Sequence, residues 1–390
     1  LDTLRESIIH SEITIDAIFG TGLSREIEGI YYLAITIINE NSKYILSIDV
    51  PSGIECNTGK VMGNCIRSNK TVTFELYKKG FLGYETSCLT GEIVIENIGI
   101  PRSVVDRFNE NEYIMDMPLI KKLIKKRNKY SHKGNYGRAL ILAGSTGFTG
   151  SAYIVAQSAV RSGAGLVTLC CDSKVQDILS AKLVEAMTAS TSDEKRLNSL
   201  ITKSDCIAIG PGMGNNNATL KLLDKILLNA KCPVVIDADG LNVLEGNLEM
   251  LRNNKSKIVL TPHMGEMARI SGLSIDEINE NKIDIAKEFA KKYDVVLLLK
   301  GFNTIITDGK TVQVNPTGNS AMASGGMGDC LTGIIASLIA QGYDSLTAAC
   351  VGAYIHGYCG DQLSSKMFCV NANHVLERLP FIIKEIQNLA

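Results

Sequence analysis

The residues best suited to chemistry lie between Asn315 and Gly333, in the sequence NPTGNSAMASGGMGDCLTG. Three of its glycines, Gly325, Gly326 and Gly328, let the backbone turn tightly and bring its N–H groups close to a ligand. The apolar run IIASLIA follows, and it predicts a helix whose N-terminus attracts phosphate. The segment therefore indicates a phosphate-binding loop.

Asp329 is the carboxylate of this segment. A carboxylate repels phosphate, so we expect Asp329 to act as a general base that takes a proton from a hydroxyl beside the phosphate. The alternative interpretation is a glycine-rich turn in which Asp329 only caps the helix. No Gly-Lys-Ser/Thr follows the glycines, which excludes a P-loop. The segment predicts phosphate chemistry on a small hydroxyl compound.

The composition limits the possible partners. The chain of 390 residues has room for two or three domains of about 100–200 residues each. A net charge of −1 gives no electrostatic argument for nucleic acid or membrane partners, and no apolar run is long enough for a transmembrane helix. The eleven cysteines form no C-x-x-C pair, which predicts reduced thiols in a cytoplasmic protein.

Two α/β regions position these residues. Short apolar strands such as YILSIDV and GEIVIENIGI occupy residues 1–100, and a charged stretch from Pro101 to Lys133 predicts a linker with a short surface helix. From Gly137 onward, near-continuous apolar strands alternate with amphipathic helices, which predicts a doubly wound, mostly parallel sheet. We therefore predict domains at residues 1–112 and 113–390.

Ligands of such sheets bind at the carboxyl ends of the strands. This sequence places unusual residues at four of those ends: GPGMG (Gly210–Gly214), IDADGLN (with Asp237, Asp239 and Asn242), TPHMGEM (with His263 and Glu266) and KGFNT (from Lys300). For His263 alone, a structural role and a functional role remain equally open.

Taken together, these blocks resemble those of the ADP- or ATP-dependent NAD(P)H-hydrate dehydratases, a branch of the ribokinase-like superfamily. The similarity runs from about Lys133 to the end of the chain, in the blocks HKGNYGRALILAGS, GFTGSAYIVAQSAVRSGAGLVTL, GPGMG, IDADGLN, LTPHMGEMARI, LKGFNTII and GNSAMASGGMGDCLTG. The resemblance implies a ribokinase-like fold and the dehydration of a hydrated nicotinamide nucleotide with ADP or ATP and Mg²⁺.

The resemblance also implies roles for single residues. Asp329 would deprotonate the ring hydroxyl, and Gly328 would hold the phosphate during transfer. The hydrate would face four residues, which are Ala152, Gly214, His263 and Asp329. The adenine nucleotide would bind to Lys300, Gly301, Phe302, Asn303, Thr304 and Gly328.

The N-terminal region carries a second group of candidate residues. IDAIFGTGLSRE and SIDVPSGIECNTG each place polar residues after a strand, a pattern that ordinary βα turns also show. Together they resemble the NAD(P)H-hydrate epimerases, which have a Rossmann-like α/β fold. By that resemblance Asp16 and Ser52 would bind K⁺, and Asp49 would contact the reacting end of the hydrate. The hydrate phosphates would contact Gly20, Thr21, Gly22, Leu23, Ser24, Arg25 and Glu26.

One family feature is not found in the sequence. The Asn-Asn-Gly-Gly-Asp-Gly loop of the epimerases is absent, and the chain does not begin with Met. We therefore expect the epimerase domain to be partial, the chain to begin inside a longer product, and its epimerase activity to be impaired.

Three functions remain to be compared. The first is nicotinamide-nucleotide repair by an intact dehydratase with a partial epimerase domain. The second is a ribokinase-like kinase of the hydroxymethylpyrimidine or hydroxyethylthiazole type, which would stop at a stable phosphoester. The third is a nucleotide-binding module without catalysis, in which Asp329 would be dispensable. We expect only small-molecule partners, a cytoplasmic location and a homo-oligomer.

Overall fold

A computed structural model describes residues 1–253 and 255–389 of the chain. It separates into two compact units, Leu1–Glu110 and Asn111–Ala390. The assignment of residues 1–112 to an epimerase and 113–390 to a dehydratase stays a prediction.

The N-terminal unit is built on a four-stranded parallel sheet. Its strands pair in chain order and are β1 (Thr14–Asp16), β2 (Ile45–Ile48), β3 (Lys70–Phe74) and β4 (Glu92–Glu96). Its helices are α1 (Asp2–Ile9), α2 (Gly29–Asn41), α3 (Tyr84–Thr90) and α4 (Arg102–Phe108). Isoleucines from α1, α2 and β2 form the core beside the sheet, among them Ile8, Ile35, Ile38 and Ile45.

A ten-stranded sheet forms the centre of the C-terminal unit. Its strands are β5 (Glu112–Ile114), β6 (Arg138–Leu142), β7 (Leu166–Cys171), β8 (Met187–Ser190), β9 (Cys206–Ile209), β10 (Val234–Ile236), β11 (Ile258–Leu260), β12 (Val295–Leu299), β13 (Thr304–Thr307) and β14 (Val312–Asn315). The spatial order is β5-β14-β13-β12-β11-β10-β9-β6-β7-β8.

The pairing of this sheet explains its apolar sequence. The strands from β12 to β8 in the spatial order are parallel, β13 is antiparallel to both of its neighbours, and β14 pairs with β5 in parallel. The central strands β9, β10, β11 and β12 are completely buried, as strands with both faces covered require. The predicted doubly wound, mostly parallel sheet is confirmed by this strand order and pairing.

Twelve helices of the described residues surround this sheet. They are α5 (Met117–Leu123), α6 (Thr149–Arg161), α7 (Ser173–Ser180), α8 (Glu194–Lys203), α9 (Asn217–Asn229), α10 (Asp239–Asn242), α11 (Met264–Ser271), α12 (Ile275–Glu280), α13 (Lys282–Tyr293), α14 (Met327–Ala340), α15 (Ser345–Ser364) and α16 (Ala372–Asn388). Short 3₁₀ segments occupy Lys79–Leu82 in the N-terminal unit, and Lys133–Tyr136, Leu248–Asn253 and Ser320–Met322 in the C-terminal unit.

Close packing of α14 on α6 fixes the position of the glycine-rich segment. A Cβ at Gly333 would lie 1.9 Å from Ser158 Oγ and 2.2 Å from the carbonyl oxygen of Val155. No real Cβ tolerates such contacts, so glycine is required where the two helices meet. This contact holds the N-terminal end of α14, and with it Asp329, against α6.

One predicted element differs from the structure. The stretch Pro101–Lys133 is not a linker with one short helix, because it contains α4, α5 and the edge strand β5. Two further features carry little signal in the sequence. The helical run from Ile275 to Tyr293 is broken between α12 and α13 at Asn281, whose ψ of 41° leaves the helical region. The short strand β8, with one exposed and three partly or fully buried residues, has a weak strand pattern.

Two global features bear on the function classes. Among the described residues, no helix has the length and apolar character needed to cross a membrane. All eleven cysteines are free, and eight of them are buried. Burial raises the pKa of the Cys170 and Cys232 thiols to about 12, which keeps them protonated and unreactive.

Candidate active site

Five neighbouring parallel strands of the C-terminal sheet end at one edge. In spatial order they are β12, β11, β10, β9 and β6. The carboxyl ends of parallel strands point the same way, so the predicted residues that follow four of them, together with the loop after β6, share this edge. The GPGMG loop, Asp237, His263 and Lys300 are therefore brought together, as the sequence predicts.

A buried ion pair lies at the centre of this edge. Lys300 Nζ lies 2.9 Å from Asp237 Oδ1 and 3.8 Å from Glu266 Oε2. The side chains of Asp237 and Glu266 are only 2% and 7% exposed, and that of Lys300 is 20% exposed. Thr332 Oγ1 donates a second hydrogen bond to Asp237 Oδ2 at 2.7 Å. A buried charge needs such partners, and each member of the pair supplies one for the other.

The pair keeps both of its groups charged. Burial favours the neutral form of Asp237, but the charge of Lys300 and the hydrogen bonds of Lys300 and Thr332 hold its pKa below the usual value. Burial likewise opposes the charge on Lys300, and Asp237 and Glu266 raise the pKa of this lysine above its usual value. The site therefore contains a lysine that remains protonated over the physiological range.

The pKa of Asp329 is shifted in the opposite direction to that of Asp237. It occupies the third position of α14, and burial raises its pKa above 3.8. A hydrogen bond from Ser151 and the charge of Lys300 lower the pKa, whereas the carboxylates of Asp237 and Asp239 raise it further. A carboxylate of raised pKa is a stronger base than an ordinary aspartate, which suits proton abstraction.

Asp329 does not cap the helix, as the alternative interpretation proposed. The N-cap of α14 is Gly326, with φ of +88°, and no side chain bonds to the first-turn N–H groups. Those groups remain available to an anion. A Cβ at Gly328 would lie 3.2 Å from Lys300 Nζ, so the lysine stands beside the same helix end. An ammonium group and an uncapped helix N-terminus together suit phosphate.

Hydrogen bonds join the GPGMG loop to the loop that begins at Gly144 after β6, and to Asp239. Gly144 N donates to the carbonyl oxygen of Pro211 at 2.8 Å, and Gly214 N donates to Asp239 Oδ2 at 2.7 Å. Between the two aspartates of the IDADGLN block, Ala238 has φ of +50°, a strained conformation for a residue with a side chain. The backbone turn at Ala238 gives the two aspartates different partners. Asp237 pairs with Lys300, whereas Asp239 accepts a hydrogen bond from the GPGMG loop.

His263 and Ala152 have visible structural roles. His263 Nδ1 accepts from Gly265 N at 3.0 Å and from Glu266 N at 3.3 Å, so the imidazole caps α11. Its side chain is nevertheless 58% exposed, and its Nε2 lies 3.5 Å from Glu266 Oε1. Ala152 is fully buried on α6, directly under Gly144. Its side chain has no exposed surface, and a hydrate contact for it stays a prediction.

The residues predicted to bind nucleotide form the tight turn between β12 and β13. Gly301 and Thr304 bond to each other through the Thr304 hydroxyl, which donates to the Gly301 carbonyl oxygen at 3.0 Å. Asn303 adopts a left-handed φ of +52°, and Phe302 is 48% exposed. The turn therefore presents its backbone at the end of β12, next to Lys300.

The N-terminal unit also brings its predicted residues together. Asp16 and Ser52 are both buried, and Ser52 Oγ donates to Asp16 Oδ1 at 2.6 Å. Asp16 Oδ2 accepts from Ser52 N and from Ser47 Oγ, each at 2.8 Å, and Ile18 N approaches Oδ1 at 3.4 Å. These four donors occupy the acceptor positions of the carboxylate, so a cation would have to displace one of them.

Asp49 lies at the end of β2 in a left-handed conformation, with φ of +65°. It forms an ion pair with Lys78 at 2.9 Å and accepts from Phe74 N at 3.0 Å. Burial alone would raise the pKa of Asp49, but these two contacts hold it below the usual value. The loop Gly20–Glu26 follows the neighbouring strand β1 and is exposed except for Leu23, which is half-buried. It therefore offers free backbone to a ligand.

Three contributing residues were missed in the sequence. Ser151 and Thr332 bond to the site carboxylates from α6 and α14, and Lys78 pairs with Asp49 from beyond β3. Ser151 and Thr332 lie within glycine-rich blocks recognised in the sequence, but the pattern there drew attention to the glycines and to Asp329 and gave these two hydroxyl residues no role of their own. Lys78 lies four residues beyond the end of β3, outside any recognised motif. Among the described residues, no three His, Cys, Asp or Glu side chains are grouped so as to hold a metal ion.

Comparison with known proteins identifies both units. The family model of NAD(P)H-hydrate dehydratase matches residues 139–381, and that of the YjeF-related protein N-terminus matches residues 2–80. A bifunctional NAD(P)H-hydrate repair enzyme of Moorella thermoacetica is 37% identical over 98% of this chain and 74% of its own length. This chain belongs to the family of bifunctional NAD(P)H-hydrate repair enzymes.

Further relatives agree with this assignment, and the solved structures among them confirm the predicted ribokinase-like fold. The repair enzyme of Escherichia coli is 32% identical over 91% of this chain and 68% of its own length. The ADP/ATP-dependent NAD(P)H-hydrate dehydratase of Bacillus subtilis, crystallised with ATP and Mg²⁺, has a TM-score of 0.63 at 30% identity and covers 70% of this chain and 97% of its own. A ribokinase-like protein of Enterococcus faecalis has a TM-score of 0.66 at 26% identity, over 72% of this chain and 98% of its own.

The repair enzyme therefore combines a dehydratase domain with an epimerase domain. The N-terminal domain is present, since its family model matches residues 2–80. That match does not support the expectation of a truncated domain.

The buried ion pair generates a stability prediction. Substitution Lys300→Met should lower the free energy of unfolding of the C-terminal unit by about 3–5 kcal/mol, because it leaves the Asp237 charge buried without a partner. The double variant Asp237→Asn/Lys300→Met should lose less than Lys300→Met alone, since position 237 then no longer carries a buried charge without its partner. Urea unfolding at pH 7 measures both free energies.

A matched control is Lys257→Met, which removes the exposed pair of Lys257 with Asp294. Loss of that pair should cost under about 1 kcal/mol. If Lys300→Met is as mild as this control, or if the double variant is less stable than the single one, the ion pair does not have the role assigned to it.

Proposed function

We propose that the Asn111–Ala390 unit dehydrates NAD(P)H hydrate at the expense of ADP or ATP, with Asp329 as the general base. The observation that carries the proposal is the raised pKa of Asp329 at the uncapped N-terminus of α14, beside Lys300. The nucleotide dependence of the similar Bacillus subtilis enzyme supports the use of ADP or ATP. We accordingly assign residues 1–112 to epimerisation and 113–390 to dehydration.

The nucleotide would bind to the turn Lys300–Thr304 and to the backbone at Gly328. The ammonium of Lys300 lies next to Gly328, so it can neutralise the phosphoryl group during transfer. A magnesium ion would neutralise further phosphate charge. Because no metal-binding group of three side chains is found among the described residues, the nucleotide phosphates and water would supply most of its ligands.

Asp329 would start the reaction by taking the proton of the ring hydroxyl. The hydroxyl oxygen then forms a bond to the terminal phosphorus of the nucleotide, and the bond from that phosphorus to the bridging oxygen breaks. The C–O bond of the new phosphoester breaks next, phosphate leaves with the electron pair, and loss of a ring proton restores the double bond. Phosphate leaves far more readily than hydroxide, which explains why a nucleotide is consumed.

The hydrate would lie over α14, with Gly214 and His263 at its sides. The exposure of the His263 side chain and the bond of the GPGMG loop to Asp239 support these two contacts. For Ala152, the proposed contact rests on the family resemblance alone, because its side chain is buried.

Substitution Asp329→Asn tests the base. It should lower kcat by about 10²–10⁴, because an amide cannot take the proton, and it should change the Kd for ADP by less than about threefold. Steady-state kinetics with NADH hydrate and calorimetry with ADP and Mg²⁺ measure the two effects. A matched control is Asp344→Asn, at the exposed N-cap of α15, where Asn caps as well as Asp.

The same variant has a stability signature. The folded pKa of Asp329 is raised, so the fold loses stability as the pH rises above the pKa of the unfolded residue, and this loss is present at pH 7. Asp329→Asn should therefore keep or raise the melting temperature while activity falls. A variant with more than about a tenth of wild-type turnover contradicts the assignment.

We also propose that the N-terminal unit binds the hydrate through its Gly20–Glu26 loop and through Asp49. The exposed backbone of the loop and the strained, ion-paired Asp49 support this proposal. A potassium ion at Asp16 and Ser52 would require Ser52 Oγ to turn its proton away from Asp16, because four donors surround the carboxylate. We propose that the ion binds after this rotation, when oxygen atoms of both Asp16 and Ser52 can face it.

Potassium binding can be tested directly. If K⁺ binds at Asp16 and Ser52, then about 0.1 M KCl should raise the melting temperature of the N-terminal transition above that in choline chloride of the same ionic strength. The reason is that a ligand stabilises the folded state that binds it. Substitution Ser52→Ala should abolish the difference, whereas Ser87→Ala, at a partly exposed position of α3, should keep it. Equal melting temperatures in the two salts contradict the proposal.

The remaining expectations concern location and assembly. We propose a cytoplasmic protein that forms a homo-oligomer and acts on small molecules, without nucleic acid or membrane partners. The eleven free cysteines support a reducing compartment, and the net charge of −1 gives no attraction to polyanions.

A further inference from the structure

Lys282 makes an unusual contact with the nucleotide-binding turn. It is the first residue of α13, and its ammonium donates to the carbonyl oxygens of Phe302 at 2.7 Å and Asn303 at 2.9 Å. The two residues it reaches lie about twenty positions further along the chain, on the other side of β12. A charged group that bonds two successive carbonyls fixes the orientation of the peptide between them.

The turn needs such a contact. Asn303 is held at φ +52°, a conformation that costs energy in a residue with a side chain. The bond between the Thr304 hydroxyl and the Gly301 carbonyl closes the turn, but it does not reach the carbonyls of residues 302 and 303. Lys282 donates a hydrogen bond to each of these carbonyls and so fixes the turn. Its Nζ also lies close to Gly301, where an added Cβ would be 3.7 Å away.

The charged groups on the elements packed against α13 do not offset the burial of Lys282. The strands β12 and β13 carry no ionisable side chain, whereas α12 carries Asp276, Glu277 and Glu280, and the first turn of α13 itself carries Asp284. The charged residues of the nearby 3₁₀ segment Leu248–Asn253, Glu249 and Arg252, pair with each other at 2.8 Å. Burial therefore acts unopposed and lowers the pKa of Lys282 to about 8.

We propose that Lys282 is a positioning residue for the nucleotide: its two bonds hold the Gly301–Thr304 turn in the shape that binds ADP or ATP. This inference rests on the proposed role of that turn in nucleotide binding. Lys282 touches neither the hydrate nor Asp329, so its loss weakens nucleotide binding and leaves the chemical step nearly unchanged.

The proposal has a pH consequence with a definite sign. As the pH rises through about 8, Lys282 loses its proton and its bonds to the two carbonyls weaken. Nucleotide affinity then falls mainly between pH 7 and pH 9, about one unit on either side of the pKa of this group. An arginine at position 282 stays charged throughout this range, so it removes the pH dependence.

Three variants test the proposal: Lys282→Met, Lys282→Arg and, as a matched control, Lys291→Met at an exposed position of the same helix. Calorimetry with ADP and Mg²⁺ gives the Kd, and steady-state kinetics gives kcat and the KM for each substrate. At pH 7.5, Lys282→Met should raise the Kd and KM for ADP about tenfold, with kcat and the KM for NADH hydrate changed less than about threefold. Lys282→Arg should bind like wild type, and Lys291→Met should have no effect.

The pH series is decisive even if Lys282→Met does not fold. Wild type should lose ADP affinity above pH 8, and Lys282→Arg should not. A Kd for Lys282→Met within about twofold of wild type, or parallel pH profiles of wild type and Lys282→Arg, overturns the inference alone. Absence of ADP binding by wild type overturns the proposed nucleotide use as well, which distinguishes the two failures.

Discussion

The structure of the C-terminal site depends on one buried ion pair, between Asp237 and Lys300. Each residue ends a buried strand, and neither charge could remain at the sheet edge without the other. Because the pair joins the end of β10 to the end of β12 across β11, it also fixes the separation of the loops that follow them. The rest of the site is arranged around this fixed point.

The pair leaves the site with an unequal charge. Three carboxylates, those of Asp237, Glu266 and Asp329, lie around the single ammonium of Lys300. Asp237 is the closest to the lysine and remains ionised, whereas Asp329 is left with a raised pKa. One arrangement thus yields both a permanent cation for phosphate and a base for a hydroxyl, two functions that the proposed phosphorylation requires at once.

The sequence predicts the parts of this arrangement that local pattern encodes. Parallel buried strands and polar residues at their carboxyl ends suffice to bring the GPGMG loop, Asp237, His263 and Lys300 to one edge. The glycines of the segment before α14 likewise indicate a helix end open to an anion. For Asp329, proton abstraction follows from its position among those glycines, although no pattern reveals the direction of its pKa shift.

Contacts between residues far apart in the sequence cannot be predicted from local sequence patterns. Thr332 bonds to Asp237 across 95 positions of the chain, and an inward-facing threonine in an apolar helix carries no distinguishing signal. Lys282 is equally hidden, because its partners are backbone carbonyls that any residue could provide. The strand β5 falls in a charged stretch and is identifiable only through its pairing with β14. Tertiary context decides such features, and single-sequence reasoning describes them only after the fold is known.

The most direct test of the account is the stoichiometry of the reaction with NADH hydrate, ADP and Mg²⁺. Absorbance follows the recovery of NADH, and phosphate release and mass spectrometry follow the products in the same samples. The account predicts that NADH, AMP and free phosphate appear in equal amounts, and that no phosphorylated nicotinamide nucleotide accumulates. Accumulation of a stable phosphoester without NADH would show a kinase that stops after phosphoryl transfer, and would contradict the account.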